Sequence, residues 1–224
     1  MANVVVFDVI ETLLDLRALD SDFAQLFGDA GAREQWFQRV LKTALTTTVT
    51  GAYQDFGAIG GAALDMTATL RGMRVSADDK RHLRAALTTL PAHPDVMGGL
   101  ERLKDAGFRL ATLSNNPRES SEAQLRNANL SAFFDQMLSA HDVRRLKPAP
   151  EPYRYAAEQL GVHVSGMWMV AAHGWDIQGA ARAGCRTAFV DRPGHVLSPL
   201  ADLPTVTGPD IEAVAVRLLE QPSE

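Results

Sequence analysis

The chain of 224 residues contains one cysteine, Cys185, and has no apolar segment near the roughly 20 residues needed to cross a bilayer. One cysteine cannot form an internal disulfide, so a disulfide-stabilised scaffold is excluded and Cys185 is interpreted as a small buried residue. The first residues enter a strand-like segment and lack the basic region, apolar run and cleavage site of a secretory signal. We therefore expect no membrane partner and a cytoplasmic location.

Basic residues are not concentrated in any part of the chain. The formal net charge is −5, and lysines and arginines are scattered, so the charge pattern gives no sign of a nucleic-acid partner. The composition of 46% hydrophobic and 22% charged residues is typical of a soluble globular protein. The length suits one large domain or a domain that carries an insert.

Strand-like and helix-like segments alternate along most of the chain. The strands are predicted at 4–7, 109–113, 136–138, 167–171 and 187–190, and the helices between and after them at 95–106, 119–127, 152–160, 177–183 and 210–219. This alternation favours an α/β fold, a doubly wound parallel sheet of the Rossmann-like kind with helices on both faces.

A helical block follows the first strand. Apolar positions recur there at helix spacing, with helices predicted at 55–71 and 77–89, until Pro91 breaks the pattern. The predicted domains are a core of residues 1–15 and 91–224 and a helical cap of residues 16–90. A cap that closes over the core would exclude water from a bound substrate.

Polar residues follow the predicted strands in a fixed order. Asp8 comes directly after the first strand, Ser114 and Asn115 end the second, Lys147 precedes Pro148, and Asp176 lies beyond the fourth. The carboxyl ends of parallel strands are where open α/β sheets build their active sites. A carboxylate there can attack an electrophilic carbon or phosphorus and form an ester. The order indicates a covalent-aspartate hydrolase with Asp8 as the nucleophile.

Two further residues would support this nucleophile. The Thr12 hydroxyl would orient the Asp8 carboxylate or hold its loop. Lys147 is kept extended by the proline that follows it, so a fixed ammonium could pair with Asp8 and Asp176 and keep the nucleophile ionised.

From Val4 to about Arg192 the chain resembles the haloacid dehalogenase superfamily, and within it the 2-haloacid dehalogenases. The resemblance implies hydrolysis of a 2-haloacid to the 2-hydroxy acid through an aspartyl ester on Asp8, a small carboxylate as substrate, and a homodimer. It also implies that Ser114 binds the substrate carboxylate and that Asn115 faces the leaving halide.

The resemblance assigns three more positions. Asp176 pairs with the lysine and helps to position the hydrolytic water. Tyr153 matches a tyrosine that lines the dehalogenase pocket, although a core role for it is also open. Trp175, next to Asp176, is placed with the substrate-binding residues.

Ile10 separates the chain from the phosphatases of the superfamily. Those enzymes carry a second aspartate at this position, which protonates the leaving group and helps to arrange a magnesium site, whereas isoleucine cannot transfer a proton. We therefore predict no metal and no cofactor, and place Ile10 in the substrate pocket. A magnesium-dependent phosphatase with a displaced acid is kept as an alternative.

The chain departs from the dehalogenase pattern at several positions. Phe37 follows Trp36 where dehalogenases carry an arginine that reaches the halide, so Arg33 or Arg39 could take over that role. We count Phe37 and Arg39 with the substrate-binding residues.

Glu11 replaces a glycine, and His173 replaces an asparagine. If Glu11 points into the pocket, repulsion from Asp8 would raise one carboxyl pKa and supply a proton donor or an amine-binding group. If Glu11 points outwards, it is only a polar loop residue. His173, biased towards its neutral form by a helix amino terminus, could accept a proton from the hydrolytic water; the alternative is a hydrogen bond that only shapes the loop. Ring opening of a strained cyclic amino acid by the same chemistry, or binding without catalysis, also remains open.

Overall fold

The computed structural model describes residues 4–221 and forms one parallel sheet within that range. The strands are β1 Val4–Phe7, β2 Arg109–Ser114, β3 Gln136–Ser139, β4 Met167–Ala171, β5 Arg186–Val190 and β6 Val206–Gly208. Their order in the sheet is β3-β2-β1-β4-β5-β6, and each neighbouring pair is parallel. The predicted doubly wound α/β fold is confirmed. The edge strand β6 was not predicted.

The strand β1 lies at the point where the chain reverses its direction across the sheet. Phe7 pairs with Thr112 of β2 on one side and with Val170 of β4 on the other. The chain builds outwards to β3 from β1 and then returns to β4, which leaves a crevice at the carboxyl ends of β1 and β4. Asp8 is the first residue beyond β1 and therefore stands at this crevice.

Both faces of β1 are covered, which explains its unbroken apolar sequence. All four of its residues are fully buried. Val4 and Val6 pack into a cluster on one face that includes Tyr153. Val5 and Phe7 belong to a larger cluster on the other face that continues into Trp36 and the other inserted helices. One apolar core thus joins the sheet to the insert.

Helices cover the sheet and form the insert. They are α1 Asp20–Phe27, α2 Ala32–Thr50, α3 Phe56–Leu70 and α4 Ala77–Thr88 between β1 and β2, and then α5 Val96–Asp105, α6 Arg118–Asn127, α7 Pro150–Leu160, α8 Gly174–Ala183 and α9 Ile211–Leu219. The start of α4 is fixed by a capping box in which Ser76 and Asp79 satisfy each other's backbone N–H groups. Helix α9 packs closely on α5, since a Cβ on Gly99 would lie 2.6 Å from Cγ2 of Ile211.

Candidate active site

Asp8 is buried and is held by hydrogen-bond donors on both carboxylate oxygens. Its Oδ1 accepts from Nζ of Lys147 at 2.8 Å, and its Oδ2 accepts from Oγ1 of Thr12 at 2.7 Å and faces Nδ1 of His173 at 3.2 Å. Burial alone would raise the pKa of Asp8, but the Lys147 ammonium and the His173 ring outweigh it and hold that pKa below its ordinary value. Asp8 is therefore an ionised carboxylate, as a nucleophile must be.

The Thr12 hydroxyl connects Asp8 to the neighbouring strand. It donates to Asp8 and accepts from the backbone N–H of Ala172 at 3.0 Å, just beyond β4. The backbone N–H groups of Leu13 and Leu14 both donate to the carbonyl of Val9, and this tight turn returns Thr12 over the carboxylate. Thr12 thus serves both purposes that the sequence suggested.

Lys147 is fully buried between two carboxylates. Its Nζ lies 2.8 Å from Asp8 and 2.6 Å from Asp176. Burial would lower the pKa of Lys147, but Asp176 and Asp8 together raise it, so the ammonium is charged. The pairing expected from the sequence is present.

Asp176 lies in the first turn of α8 and has both oxygens engaged. Oδ2 accepts from Lys147, and Oδ1 accepts from the Tyr153 hydroxyl at 2.6 Å. Burial raises the pKa of Asp176, and the Lys147 ammonium opposes this rise. Tyr153 lies in α7, is fully buried and contacts Asp176.

Asn115 and Ser114 are buried at the end of β2. The Asn115 side chain accepts from the backbone N–H of Lys147 at 2.8 Å and donates to its carbonyl at 3.4 Å. Asn115 therefore holds the lysine segment in place, in addition to any contact it makes with a halide. The Ser114 hydroxyl oxygen accepts from the backbone N–H of Asn116 at 3.1 Å, which leaves its proton to donate to a ligand.

Glu11 points inwards and pairs with His173. The backbone of Glu11 adopts the left-handed region with φ of 65°, and its Oε2 lies 2.9 Å from Nε2 of His173. His195 Nε2 lies 3.8 Å from the same oxygen, and Arg33 Nη1 lies 3.6 Å from Oε1. We call Glu11, His173 and His195 the carboxylate–histidine cluster.

The charges in this cluster differ from the expectation. Burial lowers the pKa of His173, but its hydrogen bonds to Asp8 and Glu11 and their charges raise it to about 9. Burial raises the pKa of Glu11, but His173, His195 and Arg33 outweigh it and lower the pKa. The expectations of a neutral His173 and of a raised carboxyl pKa are therefore wrong for the resting site. The His173 ring lies between the Asp8 and Glu11 carboxylates, so it pairs with both and keeps them from repelling each other at close range.

Phe37 takes the position that the resemblance assigns to an arginine. It is buried, and its ring centre lies 6.1 Å from that of His173. Arg33 is near the site, where its Nε donates to Asp20 at 2.7 Å. Arg39 instead donates to the backbone carbonyl of Gln35 on its own helix and, among the described residues, is not part of either cavity lining. The structure thus brings Arg33 to the site and not Arg39.

Two cavities meet at Phe37. One, of about 430 Å³, lies between the inserted helices and the strand ends and is mainly apolar, with Ile10, Trp36 and Phe56 in its lining. The other, of about 420 Å³, is more polar and is lined by the carboxylate–histidine cluster, Arg33 and Trp175 among others. Both volumes are in the usual range for small-molecule sites.

Trp175 and Arg192 complete the surroundings. Trp175 stacks on His173 with ring centres 5.1 Å apart, and Nζ of Lys147 lies 6.0 Å from its ring centre. Arg192 is buried, donates to the Thr12 carbonyl at 2.9 Å and pairs with Asp95 at 2.7 Å, so it fixes the loop that follows Asp8. Sequence reasoning gave Arg192 no role, although it follows β5 at the same edge of the sheet as the other site residues.

The phosphatase-type magnesium position does not suit a cation here. Ile10 offers no ligand atom, and the Lys147 ammonium already bridges Asp8 and Asp176. Within residues 4–221, a single group of potential ligands was found, the carboxylate–histidine cluster, whose ligand atoms lie within 4.8 Å of one another. Its internal hydrogen bond and the nearby Arg33 pair its charges, and we assign it as an ion-pair group.

Among the described helices, none has both the length and the apolar character that a membrane span requires.

Comparison with known proteins identifies relatives of this chain. The haloacid dehalogenase-like hydrolase family matches residues 2–184. The (S)-2-haloacid dehalogenase 1 of Pseudomonas sp. (strain CBS-3) is 35% identical over 214 residues, which cover 89% of this chain and 93% of the relative. The (S)-2-haloacid dehalogenase 4A of Burkholderia cepacia is 33% identical over 192 residues, covering 85% and 83%.

A solved structure agrees with the fold. The L-2-haloacid dehalogenase of Xanthobacter autotrophicus with covalently bound chloropropionic acid superposes with a TM-score of 0.92 and covers 100% of both chains. At 24% identity, this likeness bears on the fold alone.

Proposed function

The chain belongs to the haloacid dehalogenase-like hydrolase family, and we propose that it hydrolyses small 2-haloacids to 2-hydroxy acids through an ester between the substrate and Asp8. The observation that carries this proposal is the ionised, buried Asp8 carboxylate, held by Lys147 and Thr12 at the crevice of the sheet. Both named relatives act on (S)-2-haloacids, and we extend that preference to this chain.

The reaction divides into two steps. A carboxylate oxygen of Asp8 bonds to C2 of the substrate, while the bond from C2 to halogen breaks and the halide leaves with the electron pair. Water then attacks Cγ of Asp8, and the bond between Cγ and the ester oxygen breaks. The product hydroxyl keeps an oxygen that came from Asp8, and the water oxygen remains in the regenerated carboxylate.

The inserted helices are proposed to act as a cap over this chemistry. Phe37 of α2 lies beside His173, and the apolar cavity is lined by insert and core residues together. A water-poor cavity strengthens the electrostatic interactions that hold the nucleophile and the developing charges. We also expect a homodimer, as the resemblance implies, and light scattering would test this.

The alternatives are not favoured. Ile10 supplies no second acid for phosphoryl transfer, and Asp8, Thr12 and Lys147 form a nucleophile arrangement that a purely binding protein would not need. The Glu11 carboxylate would have to be free to bind the amine of a cyclic amino acid, but it is already paired with His173 and Arg33.

A single turnover in isotopically labelled water tests the ester. With enzyme in excess over (S)-2-chloropropionate, the label should appear in Asp8 and not in the first product molecule. Asp8→Asn should lower turnover by about six orders of magnitude, in the manner of other catalytic nucleophiles, because an amide is a poor nucleophile. Asp105→Asn, at the exposed end of α5, is the matched control. Label in the first product would mean that water attacks the substrate directly.

A further inference from the structure

Two residues that depart from the dehalogenase pattern contact each other. Glu11 stands in place of a glycine and His173 in place of an asparagine, and their side chains are 2.9 Å apart. The other ring nitrogen of His173 lies 3.2 Å from Oδ2 of Asp8. The imidazole thus bridges Glu11 and the oxygen atoms at which the reaction takes place.

Glu11 is held in this position although its backbone conformation favours glycine. Its φ of 65° is in the left-handed region, which is unfavourable for a side chain with a Cβ. Arg33 approaches Oε1 of its carboxylate at 3.6 Å, and His195 lies 3.8 Å from Oε2, the oxygen that contacts His173. A carboxylate that anchors one imidazole nitrogen sets the tautomer and orientation of the ring, as in a catalytic triad.

Asp176 is poorly placed to activate the hydrolytic water. Lys147 donates to one of its oxygens and Tyr153 to the other, both at 2.6 Å, and the residue is fully buried. His173 instead directs Nδ1 at Asp8. The group that can reach a water attacking the ester is therefore the imidazole.

We propose that His173 is the general base of the ester-hydrolysis step and that Glu11 is its positioning residue; this rests on the proposed function. Nδ1 of His173 takes one proton from the water whose oxygen bonds to Cγ of Asp8. When the bond from Cγ to the ester oxygen breaks, the product alkoxide takes that proton from His173. The second water proton then passes from the Asp8 carboxyl group to Nδ1 of His173, which restores both the carboxylate and the protonated imidazole of the resting site.

The geometry also explains how His173 becomes a base when one is needed. In the resting site both Asp8 and Glu11 keep the imidazole protonated, and its pKa is about 9. Ester formation neutralises Asp8, so the Nδ1 proton loses its acceptor and can leave through the polar cavity. Glu11 retains the proton on Nε2. His195 also faces the ring of His173. Burial and His173 lower the pKa of His195, so it supplies no negative charge that would keep the His173 ring protonated.

The test separates the two half-reactions by measuring halide release and the mass of the intact enzyme. His173→Asn, which installs the residue of the dehalogenases, should still release about one halide per active site. Ester hydrolysis should then slow by about 10²–10⁴-fold, the usual contribution of a general base, and the substrate-enzyme ester should accumulate. Glu11→Gln should give the same result to a smaller degree and should change the pH profile of ester hydrolysis, whereas Glu11→Asp should recover part of the rate.

His163→Asn is the matched control, since His163 is exposed and precedes β4, at the amino ends of the strands and away from the site. If the His173 variant does not fold, as judged by circular dichroism, the Glu11 variants carry the test. The proposal is overturned if the ester is hydrolysed at the wild-type rate in these variants, or if halide burst and hydrolysis fall together, as a purely structural role would cause. Wild-type protein that releases no halide and forms no ester would overturn the proposed function itself.

Discussion

Replacing Lys147 with methionine would leave two buried carboxylates facing each other without a cation between them. The Lys147 and Asp176 side chains are both 0% exposed, and the ammonium lies 2.8 Å from Asp8 and 2.6 Å from Asp176. Removal of one partner from a buried ion pair typically costs about 3–5 kcal/mol, because the remaining charge is desolvated and unpaired. We therefore expect Lys147→Met to lower the free energy of unfolding by about 3–5 kcal/mol at pH 7.

This deficit should depend on pH in a defined direction. In the wild type the pKa of Lys147 is raised, so its stabilising contribution is fully present below the pKa of an unfolded lysine and is constant between pH 5 and 8. In the variant, burial and repulsion would raise the pKa of a carboxyl group above its unfolded value. Such a group stabilises at low pH and loses that contribution as pH rises through the folded pKa. The deficit should shrink as pH falls from 7 to 5.

Urea denaturation followed by circular dichroism at both pH values would measure these differences. Lys147→Met combined with Asp176→Asn should recover part of the loss, because one buried charge is removed. Lys104→Met is the control, since Lys104 is about one-third exposed and pairs with Asp135 at 3.1 Å, so its loss should cost less than about 1 kcal/mol. A Lys147 variant as stable as the control at pH 7 would refute the reasoning.

Three other predictions follow from the site. Arg33→Ala should lower kcat for 2-chloropropionate by up to about 10²–10³ if its guanidinium acts on the developing charge, while Arg39→Ala should leave kcat within about twofold; equal effects would contradict the assignment of Arg33. Dehalogenation should survive a strong chelator, and its loss would indicate that the carboxylate–histidine cluster holds a metal. Cys185 is half-buried and not fully buried as the sequence suggested. It should still react with iodoacetamide far more slowly than a free thiol at pH 8, because burial raises its pKa to about 12, and unfolding should restore the reaction.

The strands were predictable wherever burial on both faces enforces an apolar run. Predicted bounds for β1 and β4 agree with the structure, and β2, β3 and β5 each differ by one residue. The edge strand β6 was missed because Val206–Gly208 has three residues, one of them a glycine, and only one side of it is paired.

The helix after β4 was predicted to begin at residue 177 but begins at Gly174. The sequence Gly174-Trp175-Asp176 has no apolar periodicity, so its helical start depends on tertiary contacts. One of these is the close approach of Gly174 to the Val196 backbone carbonyl, which would lie 3.1 Å from a Cβ there.

In the site, the predicted pairings were those that strand order determines. Asp8, Lys147 and Asp176 each follow an element that ends at the same edge of the sheet, so their contact follows from topology. The direction in which the Glu11 side chain points could not be predicted, because it depends on one left-handed backbone torsion. The charge of His173 depends in turn on Glu11, which is why helix-dipole reasoning gave the wrong sign for its pKa shift.

Because His173 lies between Asp8 and Glu11, its charge can change together with the charge on the Asp8 oxygens at every proposed stage. Imidazolium faces carboxylate in the resting site, a neutral ring faces a neutral ester after halide departure, and imidazolium faces an oxyanion once water has attacked. In a buried site an unpaired charge is costly at any of these stages, so each stage is stabilised only if the proton moves with the negative charge. An asparagine at position 173 could donate a hydrogen bond throughout but could not change its charge, and this difference is why the ester, and not the halide burst, should reveal the role of His173.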